Sequence, residues 1–259
     1  MRSPRFGEPA RVAFVGDEGA YGSCALHVAT REVQPRFFDF RAAAGHDADA
    51  LAASLEAWAP HVVVTFVAGG ATLAAFGHDS TARTIAADPA AGAWRTMPAP
   101  VDDRLYAPVR RPPNPPRALF VGESTAHRER FLIGAKHSYD LLHYAHGLYG
   151  DELADALART SIGVNLRDAL REGFEHNALV HLAAGQLLIS EPLTPTFGLE
   201  PGTDFVEVDR PDELMSALYL LDRRPDSYDR VRLAGREKAE AFRASVVWPR
   251  VIGDLLDEL

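Results

Sequence analysis

Residues able to do chemistry gather at three places in the chain. The first is Glu172-Gly173-Phe174, followed by His176 and Asn177 where a helical segment begins. Backbone N–H groups are free at a helix start, so Gly173, His176 and Asn177 can contact an anion or a sugar there, or form a plain helix cap. Glu172 sits in a charged loop, Arg167 to Glu175, and reads either as a ligand-positioning carboxylate or as a solvated acid. The second place is the turn Gly16-Asp17-Glu18-Gly19. Its glycine spacing is not that of a dinucleotide fingerprint, and Asp17 and Glu18 repel a phosphate. It reads as a tight strand-to-helix turn, or as carboxylates facing a hydroxyl-bearing substrate. His78, from a weakly patterned segment, joins Asp17 and Glu18 as a candidate acid–base group. The third place follows Gly122: Ser124, then Arg128 and Arg130, which are either ligand-binding cations or a solvated helix face with Glu129. His143 and His146 flank Tyr144 beyond a strand, and His181 reads as a packed or surface histidine beside Leu182. His176, His181, Asp168 and Glu172 lack any HxxxH or HxH spacing, so no metal site is expected. Cys24 is the single cysteine, which excludes an internal disulfide and a thiolate cluster.

The elements that hold these groups are short apolar strands alternating with helices. Expected strands are Val12–Gly16, Arg36–Phe40, His61–Phe66, Ala118–Gly122, Asp140–Tyr144, Ile162–Leu166, Leu187–Ser190 and Phe205–Val208, with short ones near Thr84–Ala86 and Trp94–Met97. Expected helices are Ser23–Thr30, Asp47–Trp58, Ala71–Phe76, Ala126–Ala135, Asp151–Ala158, one closed by Gly185, Pro211–Leu221, Ser227–Arg243 and Val246–Leu259. This alternation signals parallel α/β sheets, whose ligands bind beyond the carboxyl ends of the strands. The loops to search are therefore Asn165–Asn177 and Glu191–Gly202. The proline-dense stretch 107–116 reads as a semi-rigid connector between two α/β domains, 1–109 and 110–259, with a cleft between them. Trp248 would anchor a last segment that crosses back onto the N-terminal domain. The 259 residues, 47% hydrophobic and 24% charged, fit an ordinary globular protein. A net charge of −9 argues against general nucleic-acid binding. No apolar run spans a bilayer and no leader is evident, so a cytoplasmic location is expected.

The second half resembles the C-terminal domain of GT-B glycosyltransferases, closest to the CgeB-like (spore-maturation) type. The matching words are ALFVGESTAHRERFL from Ala118, LYGDELADALARTSIGVNL from Leu148, the helix and strand over Gly173 to Ser190, and LEPGTDFVEVDRPDEL from Leu199. PAPVDDRLYAP from Pro98 resembles the word that ends the N-terminal domain, and the likeness runs over about 98–259. It implies two Rossmann-like domains facing a cleft, the N-terminal one shorter than usual. It also implies transfer of a sugar from a nucleoside-diphosphate donor held mainly by the C-terminal domain, without metal or cofactor, to a bacterial glycan, glycolipid or metabolite. No nucleic-acid partner is expected, and homo- or hetero-oligomers stay open.

The resemblance assigns Ser124, Arg128, His143, Glu172, Gly173, Phe174, His176 and Asn177 to the donor side, with a nucleobase near His143. Asp17, Glu18 and His78 fall to the acceptor side. Many GT-B enzymes carry two glutamates with seven residues between them; Glu172 fits the first, and the second falls on Val180. The closer family has Asn and Arg where this chain has Glu175 and Asn177, so the phosphate-side cation is missing there, and Arg128 or Arg130 is left to supply it. A non-catalytic GT-B relative serving as a binding or scaffold subunit is the alternative reading.

Overall fold

Strands buried on both faces need near-continuous apolar runs, and VAFVG, VVVT, ALFV, IGVN and LLIS meet that demand, with polar residues only at the carboxyl ends of three of them. In the computed structural model, which describes residues 7–39, 48–66, 84–86, 94–96, 98–146, 148–167 and 176–257, they build two separate sheets. The chain divides into two compact units, 1–103 with 243–259, and 104–242.

The first unit contains β1 (Ala10–Gly16), α1 (Glu18–Ala25), β2 (Val33–Asp39), α2 (Ala48–Trp58), β3 (Val62–Thr65), β4 (Thr84–Ala86) and β5 (Trp94–Thr96). Its sheet has the order β2-β1-β3-β4-β5, parallel through the first three strands and antiparallel in the last two. One face of β1 and β3 packs Val12, Phe14, Val62 and Val64 with Phe66, Trp248, Ile252 and Leu255. The other packs Ala13 and Val15 against Phe38 and against Leu51 and Leu55, the four-apart pair on α2. Trp248 meets Phe14 edge-on with ring centroids 5.2 Å apart.

The second unit runs β6 (Ala118–Val121), α3 (Ala126–Ser138), β7 (Leu141–Tyr144), α4 (Gly150–Ala158), β8 (Ile162–Asn165), α5 (His176–Ala183), β9 (Leu187–Ser190), β10 (Val206–Glu207), α6 (Pro211–Arg223) and α7 (Asp229–Ala239). A last helix, α8 (Ala244–Asp257), returns to the first unit. All five strands of the second sheet are parallel, in the order β10-β9-β8-β6-β7. The core on one face joins Phe120, Ile162, Val164, Leu187 and Ile189 to Phe131 and Leu132 of α3 and Leu214 and Leu218 of α6. Helix α5 lies on β8 so closely that a Cβ at Gly163 would stand 2.2 Å from the His181 ring. Gly185 ends α5 with φ +73°, and a Cβ there would stand 2.9 Å from the Pro108 carbonyl oxygen.

Several boundaries differ from the sequence reading. Helix α1 starts at Glu18 and not at Ser23, because Asp17 Oδ1 accepts the Gly19 N–H (3.0 Å) and caps it. Strand β2 starts at Val33 and includes Pro35, which is tolerated because β2 is an edge strand. Segment 104–109, before the expected domain boundary, is bonded to the second unit: Ala107 N–H to the Ala183 carbonyl (3.0 Å), Arg236 Nε to the Ala107 carbonyl (2.7 Å), and the Tyr106 hydroxyl to the Ala239 carbonyl (2.7 Å). The helix expected at Ala71–Phe76 lies outside the described residues. Among the described residues no helix is long and apolar enough to cross a membrane.

Candidate functional site

The carboxyl ends of β6, β8 and β9 lie side by side, because these strands are neighbours in the second sheet. The chain beyond β6 turns at Gly122 and enters α3, whose N-cap Thr125 accepts the Arg128 N–H at 3.3 Å. Three predicted site residues converge on that turn. Arg128 is 7% exposed, and its guanidinium donates to the Leu166 carbonyl (3.1 Å) and the Glu123 carbonyl (3.3 Å) above the Phe120 ring. The reading of Arg128 as part of a solvated helix face is therefore corrected: its charge is buried against backbone oxygen. His143 Nε2 donates to the Gly122 carbonyl at 2.8 Å, which fixes its proton on that nitrogen. Asn177, in the first turn of α5, donates to the Val121 carbonyl at 2.9 Å. The carbonyls of 121–123 are thus bound by three side chains from three elements.

Ser124 donates to Glu129 Oε1 at 2.5 Å, and Lys136 reaches both oxygens of the same carboxylate at 2.8 and 2.9 Å. The Lys136 bonds first and the Ser124 bond second hold the Glu129 carboxyl below its ordinary pKa. Glu129 is thereby kept ionised and occupied, so the acid at the start of α3 is matched by a neighbouring lysine.

The most developed constellation was not singled out from the sequence. Glu191, the first residue beyond β9, is 1% exposed. Its carboxylate accepts the Arg167 N–H (2.8 Å), the Arg167 guanidinium (3.3 Å) and the His127 ring at 2.9 and 3.0 Å. Arg130 Nη2 donates to His127 Nδ1 at 3.1 Å, so His127 must carry its proton on Nε2 toward Glu191. One buried carboxylate therefore orients a half-exposed arginine from the end of β8 and, through an imidazole, an exposed arginine on α3. Arg167 and Arg130, beside the N-terminal end of α3, can bind a phosphate or diphosphate group and neutralise charge that develops on it. A signal was present, since Asn165–Asn177 and Glu191–Gly202 are the strand-end loops the sequence marks for search.

The other candidates are placed as follows. Glu172, Gly173, Phe174 and His78 lie outside the described residues. His176 is half-buried as the first residue of α5. Val180 is 4% exposed in the α5 core. His181 is packed: it is 1% exposed, bonds Gln186 Oε1 through Nδ1 (2.6 Å), and is pushed down to a pKa of about 4 by burial. In the first unit Asp17 is half-buried as the cap of α1 and Glu18 is exposed. Among the described residues no three His, Cys, Asp or Glu side chains gather as a metal site.

No family model matches the chain, and no curated protein matches it. Among solved structures it is similar to AviGT4, a glycosyltransferase involved in Avilamycin A biosynthesis, at 14% identity over 97% of this chain and 99% of that chain, with a TM-score of 0.55. It is similar to Alr3699/HepE of Anabaena, solved in complex with UDP and glucose, at 9% identity over 96% of this chain and 100% of that chain, TM-score 0.51. It is also similar to the glycosyltransferase SnogD of Streptomyces nogalater at 12% identity over 96% and 100% of the two chains, TM-score 0.51. At such identities the likeness is one of fold: this chain is mixed α/β with parallel sheets, the Rossmann-like architecture of GT-B glycosyltransferases.

Proposed function

We propose that this chain is a glycosyltransferase of the CgeB-like type, moving a sugar from a nucleoside-diphosphate sugar to a bacterial glycan, glycolipid or metabolite hydroxyl without a metal ion. The observation that carries the reading is the Glu191–Arg167–His127–Arg130 network beyond the strand ends of the second sheet. In such a transfer the acceptor oxygen bonds the anomeric carbon, the bond to the diphosphate oxygen breaks, and the acceptor proton goes to a base. The departing diphosphate gains charge, so preorganised cations and helix N-termini accelerate the step. Arg167 and Arg130 supply the cationic partners that position 177 does not, and Glu191 fixes their geometry before the donor arrives.

A second reading, a non-catalytic GT-B relative acting as a binding or scaffold subunit, is favoured by two specific observations. Val180 is buried where many GT-B enzymes carry a glutamate, and the Arg128 guanidinium is taken up by carbonyls. Thermal-shift and calorimetric titration of UDP, GDP, dTDP and CDP and their sugars in the presence of EDTA separates the two. The expected result is saturable binding of one nucleotide, weakened at least ~10-fold by Arg167→Ala, as befits loss of one charge-assisted pair. No binding by any nucleotide at millimolar concentration would overturn the glycosyltransferase reading.

A further inference from the structure

We propose that the opposite, amino edge of the second sheet carries a separate binding site for a phosphate-bearing ligand. A groove of about 620 Å³ opens there, lined by Ser161, one residue before β8, and Gly185, two residues before β9. Its charged lining is four arginines, Arg104, Arg110, Arg111 and Arg159, against the single carboxylate of Asp155. That excess of cations runs against the net charge of −9 carried by the whole chain. The volume is that of a small-ligand site. All four cations are arginines, whose planar fork suits phosphate oxygens two at a time.

Three of these arginines are not occupied by the fold. Among the described residues Arg110, Arg111 and Arg159 have no ion pair and no side-chain hydrogen bond, and all three are exposed. Arginines at helix C-termini often serve to cap free carbonyls, and α4 and α5 both end at this groove. Here the fold caps those carbonyls with other donors. Thr160 Oγ1 donates to the Ala156 carbonyl (2.8 Å), Gln186 Nε2 to the Leu157 carbonyl (3.1 Å) and to the Thr160 carbonyl (3.3 Å), and the Ala107 N–H to the Ala183 carbonyl. The negative helix ends are met internally, so the guanidinium groups are left for something brought from outside.

The strap that presents two of them is rigid. Arg110 and Arg111 lie among Pro108, Pro112, Pro113, Pro115 and Pro116, and the strap is pinned at Ala107 by two hydrogen bonds and at buried Pro116. Proline restricts the backbone before any ligand binds, which lowers the ordering cost of binding. An adjoining hollow of about 580 Å³ shares Arg110 and Arg111 but adds Asp226 and Asp229, so there carboxylates balance the two arginines, whereas on the Arg159 side the cations are in excess.

The proposal is independent of the donor-site reading, and its test keeps the two apart. Inorganic tripolyphosphate is titrated calorimetrically into the full chain and into Arg111→Gln/Arg159→Gln, whose side chains are exposed and whose folding is checked by circular dichroism. In parallel, the same proteins are co-sedimented with phosphatidylcholine vesicles with and without phosphatidic acid. Arg167→Ala serves as the strand-end control, and UDP binding is followed in every variant. Tripolyphosphate binding that weakens at least ~10-fold in the groove variant, and persists in Arg167→Ala, supports a soluble phosphate ligand. Phosphatidic-acid-dependent sedimentation lost in the groove variant alone supports a lipid headgroup as the source. Binding of neither probe at millimolar concentration, binding equal in the groove variant, or binding lost instead in Arg167→Ala overturns the proposal, whatever UDP does.

Discussion

His181 gives up its water contacts when α5 packs on β8, keeps one hydrogen bond to Gln186, and leaves Nε2 without a partner. Burial therefore holds the imidazole neutral, with a pKa of about 4 against 6.5 in the unfolded chain. The unfolded state takes up a proton below pH 6.5 that the native state refuses until about pH 4, so stability is full above 6.5 and falls through that window. At pH 5 the loss from this one group is about 2 kcal/mol. Urea unfolding at pH 7 and pH 5 should show the wild type losing about that much more than His181→Gln; equal losses would refute the assignment. The same histidine shows what single residues disclose in a sequence. Its place on a helix beside Leu182 was legible, with a packed and a surface position both open, whereas the Glu191 network was not. Glu191 stands 24 residues from Arg167 and 64 from His127, and only the order β9-β8-β6 makes them neighbours. Arg128, His143 and Asn177 were legible as strand-end and helix-start residues. That their donors turn onto the carbonyls of 121–123 depends on side-chain direction, which spacing does not encode.

Helix α8 begins without a capping side chain of its own, since Arg243 precedes it, and takes its cap from 142 residues earlier in the chain. Asp103 accepts the Ser245 N–H at 3.0 Å and the Ser245 hydroxyl at 2.6 Å, with Arg243 at 3.3 Å. Burial pushes the Asp103 carboxyl up, and the bonds from Ser245 and Arg243 together outweigh it and hold the group below 3.8. The carboxylate stabilises α8 above that pH, and the contribution is lost as the medium falls through the lowered value. Asp103→Ala should cost about 1 kcal/mol at pH 7, the usual worth of an N-cap, and less at pH 3. Chemical denaturation at both pH values reads this, and an equal cost at both would exclude a charge-assisted cap. Elements as such were more legible than their joints. The apolar runs of β1, β3, β6, β8 and β9 fall where an alternating α/β pattern predicts, and so do the two short strands 84–86 and 94–96. The start of α1 shifted because a single carboxylate at position 17 captures a backbone N–H, a contact that glycine spacing hides.

At the scale of the whole molecule the chain enters the first unit, leaves it after Asp103, and returns at Arg243. Trp248 is 1% exposed and is the largest fully buried side chain described, lying against Phe14 and Phe66. Truncating a buried Trp to Ala costs about 3–5 kcal/mol. Trp248→Ala should therefore strip hydrogen-exchange protection from β1 and β3 while β6, β8 and β9 keep theirs. Equal loss in both sheets, or none, would contradict the division into units. The order of synthesis then acquires a meaning. The strands of the first unit stay incomplete until residues 243–257 have cleared the ribosome. A nascent chain holding residues 1–103 presents the Phe14–Phe66 face bare throughout the making of the second unit, and is a client for chaperones during that interval. A nonsense codon between Arg243 and Trp248 would spare the sheet encoded just before it and undo the one encoded more than a hundred codons earlier.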